Sequence, residues 1–132
     1  MPFPTLLAAE QSALMLIDFQ ERLVPAIDGG QAVVAQAQHL AQAARLLGVP
    51  VLATEQLPDR LGPTVAPLRD LPLAVIPKAE FDAWRAANVR SALPPDRATI
   101  VLAGCEAHVC VLQTAFGLLE AARPSPRKFR RG

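Results

Sequence analysis

Ser12-Ala-Leu-Met-Leu-Ile-Asp18 decides the fold class. A short apolar run closed by a carboxylate reads as a strand buried on both faces, with its last residue emerging at a sheet edge. Three similar runs follow: Pro50-Val-Leu-Ala-Thr54, Leu73-Ala-Val-Ile-Pro77 and Ala98-Thr-Ile-Val-Leu-Ala-Gly104. Between the first two, Val33, Ala37, Leu40, Ala44 and Leu47 recur at helical spacing, and Gly48 stops that helix with Pro50 just beyond. Residues 55–63 hold two prolines and a glycine and read as a loop, with a short helix near 65–68. Asp82 is placed to cap a helix over 82–93, which Pro94-Pro95 ends. Residues 107–122 read as a last helix with Val111, Ala115, Leu118 and Leu119 inward. Four strand-then-helix units predict an α/β fold, a Rossmann-like doubly wound parallel sheet with helices on both faces.

Composition narrows the function. The 132 residues make one domain, and 52% hydrophobic content excludes a disordered chain. No apolar run reaches the roughly 18 residues of a membrane span. The first ten residues lack a basic segment ahead of an apolar one, which argues against a secretory leader. Two cysteines fit a reducing cytosol, so a cytoplasmic location is expected. Aromatic residues at 5%, with no Tyr, weaken any base-stacking role. The net charge of +1 hides an asymmetry. Residues 123–132 carry Arg123, Arg127, Lys128, Arg130 and Arg131 and no acid, a +5 segment. Residues 1–122 hold 8 basic and 12 acidic side chains, a net of −4. The basic Pro/Arg segment is expected to be a disordered, solvated tail with no specific nucleic-acid partner.

Ligands of a doubly wound sheet bind beyond the carboxyl ends of its strands. There the chain places Asp18, then Thr54 and Glu55, then Lys78, then the stretch from Cys105 to Cys110. Lys78 is the one lysine among residues 1–122. Cys110, in the first turn of a helix, is a candidate nucleophile, because helix starts and nearby cations lower a thiol pKa. Asp18 is a candidate general base for that thiol, and Lys78 a charge that steadies the pair. Backbone N–H groups at Cys105, Glu106 and Cys110 are candidate oxyanion donors. Gln20, Glu55 and Gln56 are candidate pocket residues. Bland readings stand beside these: a helical Cys is most often a small buried hydrophobe, and an acid at a strand end often caps a turn. Cys105 and Cys110 do not have metal-ligand spacing, and no metal or other cofactor is expected. His108, two residues from Cys110 on the same helix, does not face it. His39 reads as a plain helix residue.

Four ordered blocks carry a resemblance. Leu16-Ile-Asp18-Phe-Gln20-Glu-Arg22, Thr54-Glu-Gln56 with Leu61-Gly-Pro-Thr64, Pro77-Lys78-Ala-Glu-Phe81, and Gly104-Cys-Glu-Ala-His-Val-Cys110-Val-Leu-Gln-Thr114 span about residues 12–121. Together they resemble the isochorismatase-like cysteine hydrolase superfamily, in its branch of isochorismatase-domain hydrolases of unassigned substrate. The resemblance implies an Asp-Lys-Cys triad on Asp18, Lys78 and Cys110, a small-molecule amide-type substrate and a thioester intermediate. It also implies a six-stranded parallel sheet, homo-oligomers, and a cis peptide near Cys105–Glu106.

Two departures qualify it. Nicotinamidases of this superfamily carry an Asp and two His as metal ligands between the first and third triad positions. Here only His39 lies between Asp18 and Lys78, which argues against a metal and against nicotinamide. Members that cleave the vinyl ether of isochorismate need not use the Cys. After Ala122 the family continues with further strands and helix, whereas this sequence turns to the basic segment. Residues 1–122 are therefore expected to be an incomplete, truncated hydrolase domain with an open edge on its fourth strand. The leading reading is a metal-independent cysteine hydrolase. The alternative is a catalytically impaired family member or pseudoenzyme that acts as a binding or oligomerisation module. A weaker third reading is a thiol redox sensor with Cys105 as resolving thiol.

Overall fold

The computed structural model describes residues 6–122; the basic segment 123–132 and its expected disorder lie outside them. Four strands, β1 (Ser12–Ile17), β2 (Val51–Gln56), β3 (Ala74–Lys78) and β4 (Thr99–Gly104), form one all-parallel sheet in the order β3-β2-β1-β4. The chain steps outward from β1 through β2 to β3, then returns past β1 to lay down β4. Parallel crossovers are right-handed, so reversing direction moves the connecting helix to the opposite face. The helices obey this. α1 (Gly30–Leu46) and α3 (Ala66–Arg69) cover one face, while α4 (Ala87–Ala92) and α5 (Leu112–Ala122) lie on the other. The doubly wound α/β expectation is met.

β1 is central and all six of its residues are buried. Side chains alternate across a strand. Leu14 and Leu16 join the α1-face core with Val34, Val51 and Leu68, and Met15 and Ile17 join the opposite core with Ile76, Val89 and Cys110. Each such aliphatic burial contributes about 1.5–3 kcal/mol. This two-sided burial is why the run reads as continuously apolar.

Three helical details differ from the sequence expectation. On α1 the buried stripe is Gly30, Val34, Ala37, Ala41 and Ala44, whereas Leu40 and Leu47 are 42% and 68% exposed. Small alanines let the helix lie close to the sheet, so side-chain size misled the hydrophobic pattern. Asp82 does cap a helical turn, accepting from the Trp84 N–H, but the turn is a three-residue 3-10 helix, Ala83–Arg85, and α4 begins afterwards. Residues 107–122 split into a π-helical turn, Ala107–Val111, and α5. The inward side of that segment is Cys110, Thr114 and Gly117, and Leu119 is 65% exposed. Those inward residues are polar or small because they meet the loop after β3. Thr114 Oγ1 accepts from the Ala83 N–H, and a Cβ on Gly117 would strike the Asp82 carboxylate.

Among the described residues β4 pairs only with β1. Its residues are half-buried despite their apolar character. Hollows of about 740 and 550 Å³ flank it, one floored by Ile100 and Leu102 with Leu118, the other by Ala103 and Gly104 with Phe19.

Gly104 joins β4 to the turn that carries Cys110. A Cβ there would lie 2.5 Å from Val111 Cγ2 and 3.1 Å from the Ile17 carbonyl oxygen. Val is stiff at χ1 and the backbone cannot retreat. Gly104→Ala is expected to destabilise the fold by about 1–3 kcal/mol, read from the urea midpoint. A wild-type midpoint would show that the turn yields without cost.

Candidate active site

Strand register brings the predicted residues together. In the sheet Ile17 lies beside Thr54 and Gly104, and Gln56 lies beside Lys78. Asp18 follows β1, Lys78 ends β3, and Cys110 sits in the turn after β4. Asp18 and the turn with Cys110 flank the β1/β4 junction, where the strand order reverses and a crevice is expected, and the Lys78 side chain reaches Asp18 from β3.

Asp18 is 2% exposed and adopts the left-handed region at φ 59°. Its N–H donates to the Thr54 carbonyl at 3.2 Å. The Thr54 hydroxyl donates to Asp18 Oδ1 at 2.8 Å, and Lys78 Nζ donates to Oδ2 at 3.0 Å. Neither side chain of the ion pair is more than 2% exposed. Lys78 also donates to Gln56 Oε1 at 2.6 Å and to the Glu80 carbonyl at 2.8 Å.

Cys110 is buried, at 3% exposure, and its thiol is close enough to the Asp18 carboxylate to feel its charge. Burial pushes the thiol up to about 12. The nearby Asp18 carboxylate adds to that rise, as does Glu106, and Lys78 opposes it. The expectation of a thiol lowered by a helix start is therefore corrected. Desolvation and the Asp18 carboxylate outweigh the turn and the lysine, so the resting group is a neutral thiol. Cys105 is likewise pushed up to about 11 by burial, then by Glu106 and Asp18.

Cys105 and Glu106 form the bend between β4 and the π turn, and the Glu106 carbonyl accepts from the N–H groups of Val109 and Val111 at 3.1 and 3.3 Å. The described residues contain no cis peptide bond, which corrects the one expected at Cys105–Glu106; trans is the lower-energy form for a non-proline residue. Both cysteines are free. Cys105 packs against the α1-face core and Cys110 against the opposite core. That separation works against a bridge between them.

The three candidate pocket residues are placed as follows. Gln20 is fully buried; its Nε2 donates to the carbonyls of Gln56 and Gly62, and its Oε1 accepts from the Gln56 N–H. Glu55 Oε2 accepts from the Thr64 N–H at 2.6 Å and hydroxyl at 2.8 Å, fixing the loop after α2 (Pro58–Leu61). Gln56 reaches Lys78. A rim hollow of about 410 Å³ beside Lys78 is lined by Leu57, Arg60 and Pro77, not by the glutamines. His39 is exposed on α1, and the side chain of His108 lies outside the described residues. Among the described residues no three His, Cys, Asp or Glu side chains converge on a point. None of the described helices is long and apolar enough to cross a membrane.

Two further contributors had no role assigned from the sequence: Thr54, placed at this edge, and Thr114. Thr54 and Thr114 are both completely buried, one on Asp18 and the other bracing the loop after β3. The signal for Thr54 was available, since Thr54 and Gln56 are two apart on a strand and share a face.

Comparison with known proteins agrees with this architecture. The sequence matches the Isochorismatase domain over residues 12–121. It is 39% identical over 116 residues to isochorismatase domain-containing protein 2 of Danio rerio, covering 86% of this chain and 58% of that protein. A structure described as MAR1 ribonuclease from Caenorhabditis elegans superposes with TM-score 0.81 at 33% identity, over 88% of this chain and 61% of the other. An isochorismatase from Pseudomonas putida shares the fold at TM-score 0.79 and 19% identity, over 92% of this chain and 69% of that one. This chain thus spans under two thirds of the curated relative's length. With the ordered blocks, the parallel sheet and the domain match in agreement, the chain belongs to the isochorismatase family.

Proposed function

We propose that this chain is a metal-independent cysteine hydrolase acting on a small amide-type compound, with Cys110 as nucleophile and Asp18 and Lys78 completing a triad. The observation that carries this reading is the buried Asp18–Lys78 ion pair, at 3.0 Å, at the same sheet edge as the buried Cys110, whose thiol the Asp18 carboxylate raises. A thiol held near 12 is not a preformed thiolate, so its proton leaves as the sulfur attacks. Asp18 takes that proton while Sγ bonds to the carbonyl carbon. The tetrahedral species collapses, Asp18 returns the proton to the departing amine, and a thioester on Cys110 remains. Water then attacks the thioester, giving one proton to Asp18. The acid product leaves as Sγ recovers that proton. Family membership supports hydrolysis in general terms. Main-chain N–H groups at Cys105, Glu106 and Cys110 are the proposed oxyanion donors. A nucleophile only 3% exposed admits a compact substrate and excludes bulky ones.

Cys110→Ala and Cys110→Ser are each expected to abolish turnover across a panel of small amides, and to abolish the covalent mass shift with an aldehyde analogue. Full activity in either variant would overturn the reading. The raised thiol makes a second, pH-resolved prediction. A group lifted on folding is less ionised in the native state than in the unfolded chain at every pH between the two values. Iodoacetamide labelling of native Cys110, followed by peptide mass spectrometry, should keep climbing beyond the plateau that the unfolded chain reaches roughly one to two pH units above its half-ionisation point of about 8.5. A native plateau at or below that of the unfolded chain contradicts the neutral resting thiol.

A further inference from the structure

An ammonium group has three N–H donors and no acceptor. Lys78 spends all three inside the protein, on Asp18 Oδ2, Gln56 Oε1 and the Glu80 carbonyl oxygen. Its side chain is fully buried. No donor is left for a substrate oxygen, so whatever Lys78 contributes to the reaction passes through Asp18. Its position is then set by the other two acceptors. One is backbone two residues along the chain. The other, Gln56, is the side chain that makes the shortest of the three contacts, at 2.6 Å.

Gln56 is itself clamped. Its Nε2 donates to the Ala79 carbonyl at 2.7 Å, so the amide cannot be reversed without setting a donor against the ammonium. Its backbone N–H donates to Gln20 Oε1 at 2.8 Å and its carbonyl accepts from Gln20 Nε2 at 2.9 Å. Register pairs it with Lys78 across β2 and β3. The result is a continuous line of hydrogen bonds from Gln20 through Gln56 and Lys78 to Asp18, whose charge acts on Cys110.

We infer that Gln56 is a positioning residue, whose amide oxygen holds the Lys78 ammonium against Asp18 and thereby governs proton exchange between Asp18 and Cys110. The inference rests on the cysteine-hydrolase reading above. Gln56 is 6% exposed and acts through Lys78 rather than on substrate. Release of the ammonium removes the one charge that favours the Cys110 thiolate and leaves the opposing Asp18 charge unbalanced.

The test uses Gln56→Met and Gln56→Glu in the full chain. Gln56→Met deletes the acceptor at nearly constant length. Gln56→Glu keeps an oxygen toward Lys78 but adds a carboxylate that competes with Asp18, and it removes the donor to Ala79. In either variant kcat should fall by up to about 10²-fold, as for a misplaced reacting group, with KM unchanged. Cys110 labelling by iodoacetamide at pH 8 should slow about tenfold, the effect of one pKa unit. A purely structural Gln56 would leave the labelling profile of a folded variant unchanged, and that outcome overturns the proposal. If neither variant folds, the wild-type protein still decides. The chain holds only two lysines, Lys78 and Lys128, so its lysine ammonium NMR spectrum contains at most two signals. One protected from solvent exchange and coupled to the Gln56 amide is expected; absence of any protected signal overturns the proposal. Labelling needs no turnover, so it separates the two claims: activity that survives Cys110→Ala overturns the hydrolase reading alone.

Discussion

A carboxylate and an ammonium 3.0 Å apart, both almost completely withdrawn from water, are stable only when their remaining lone pairs and protons are satisfied. Desolvating each ion costs several kcal/mol, and the mutual attraction offsets this only with good geometry. The chain meets that demand from β2 and the loop after β3. The Thr54 hydroxyl takes one oxygen of Asp18, and Gln56 and the Glu80 carbonyl take the two spare protons of Lys78. Losing either ion would leave the other charge buried and unpaired, at a cost of about 3–5 kcal/mol. The ends of β1, β2 and β3 are therefore locked to each other by polar contacts as much as by the core beneath them.

Topology is what makes that lock possible. The strand order β3-β2-β1-β4 puts β2 between the acid and the lysine, so that one strand can present Thr54 and Gln56 to both. The reversal after β3 brings β4, and with it Cys110, to the other side of β1. The pleat divides labour along β2. Thr54 and Gln56 face the ion pair, and Glu55 between them binds Thr64 at the foot of the next loop. The same strand thus fixes the charged cluster and the rim around it.

The strands were legible because buried parallel strands are uninterrupted apolar runs, and Ser12–Ile17 is one. The acid, the lysine and the cysteine could be placed at one edge because each follows such a run. Helix faces were read less well. Ala37 and Ala44 belong to the expected stripe and are buried, but Leu40 and Leu47 are exposed and Ala41, outside that stripe, is fully buried, because close packing on a sheet selects small residues. On the last helical segment Val111 packs against the core as expected, but the deepest positions of its inward side, Cys110, Thr114 and Gly117, are small or polar. The state of the Cys110 thiol was the least legible feature. A helix start is a local property visible in sequence, whereas burial and the approach of Asp18 arise only when distant segments assemble. Gln20, Glu55 and Gln56 were singled out, but their polar atoms hold backbone, loop and lysine in place.

Asp18 stands at φ 59°, a region that ordinary side chains avoid and that Gly, Asn and Asp tolerate. The backbone therefore admits about three residue types at this position. The paired lysine requires a negative charge, which strikes out Gly and Asn. The longer Glu carries the charge but lacks the short side chain that eases a left-handed conformation. Geometry and charge, acting as two independent filters, leave aspartate as the one residue that satisfies both at position 18.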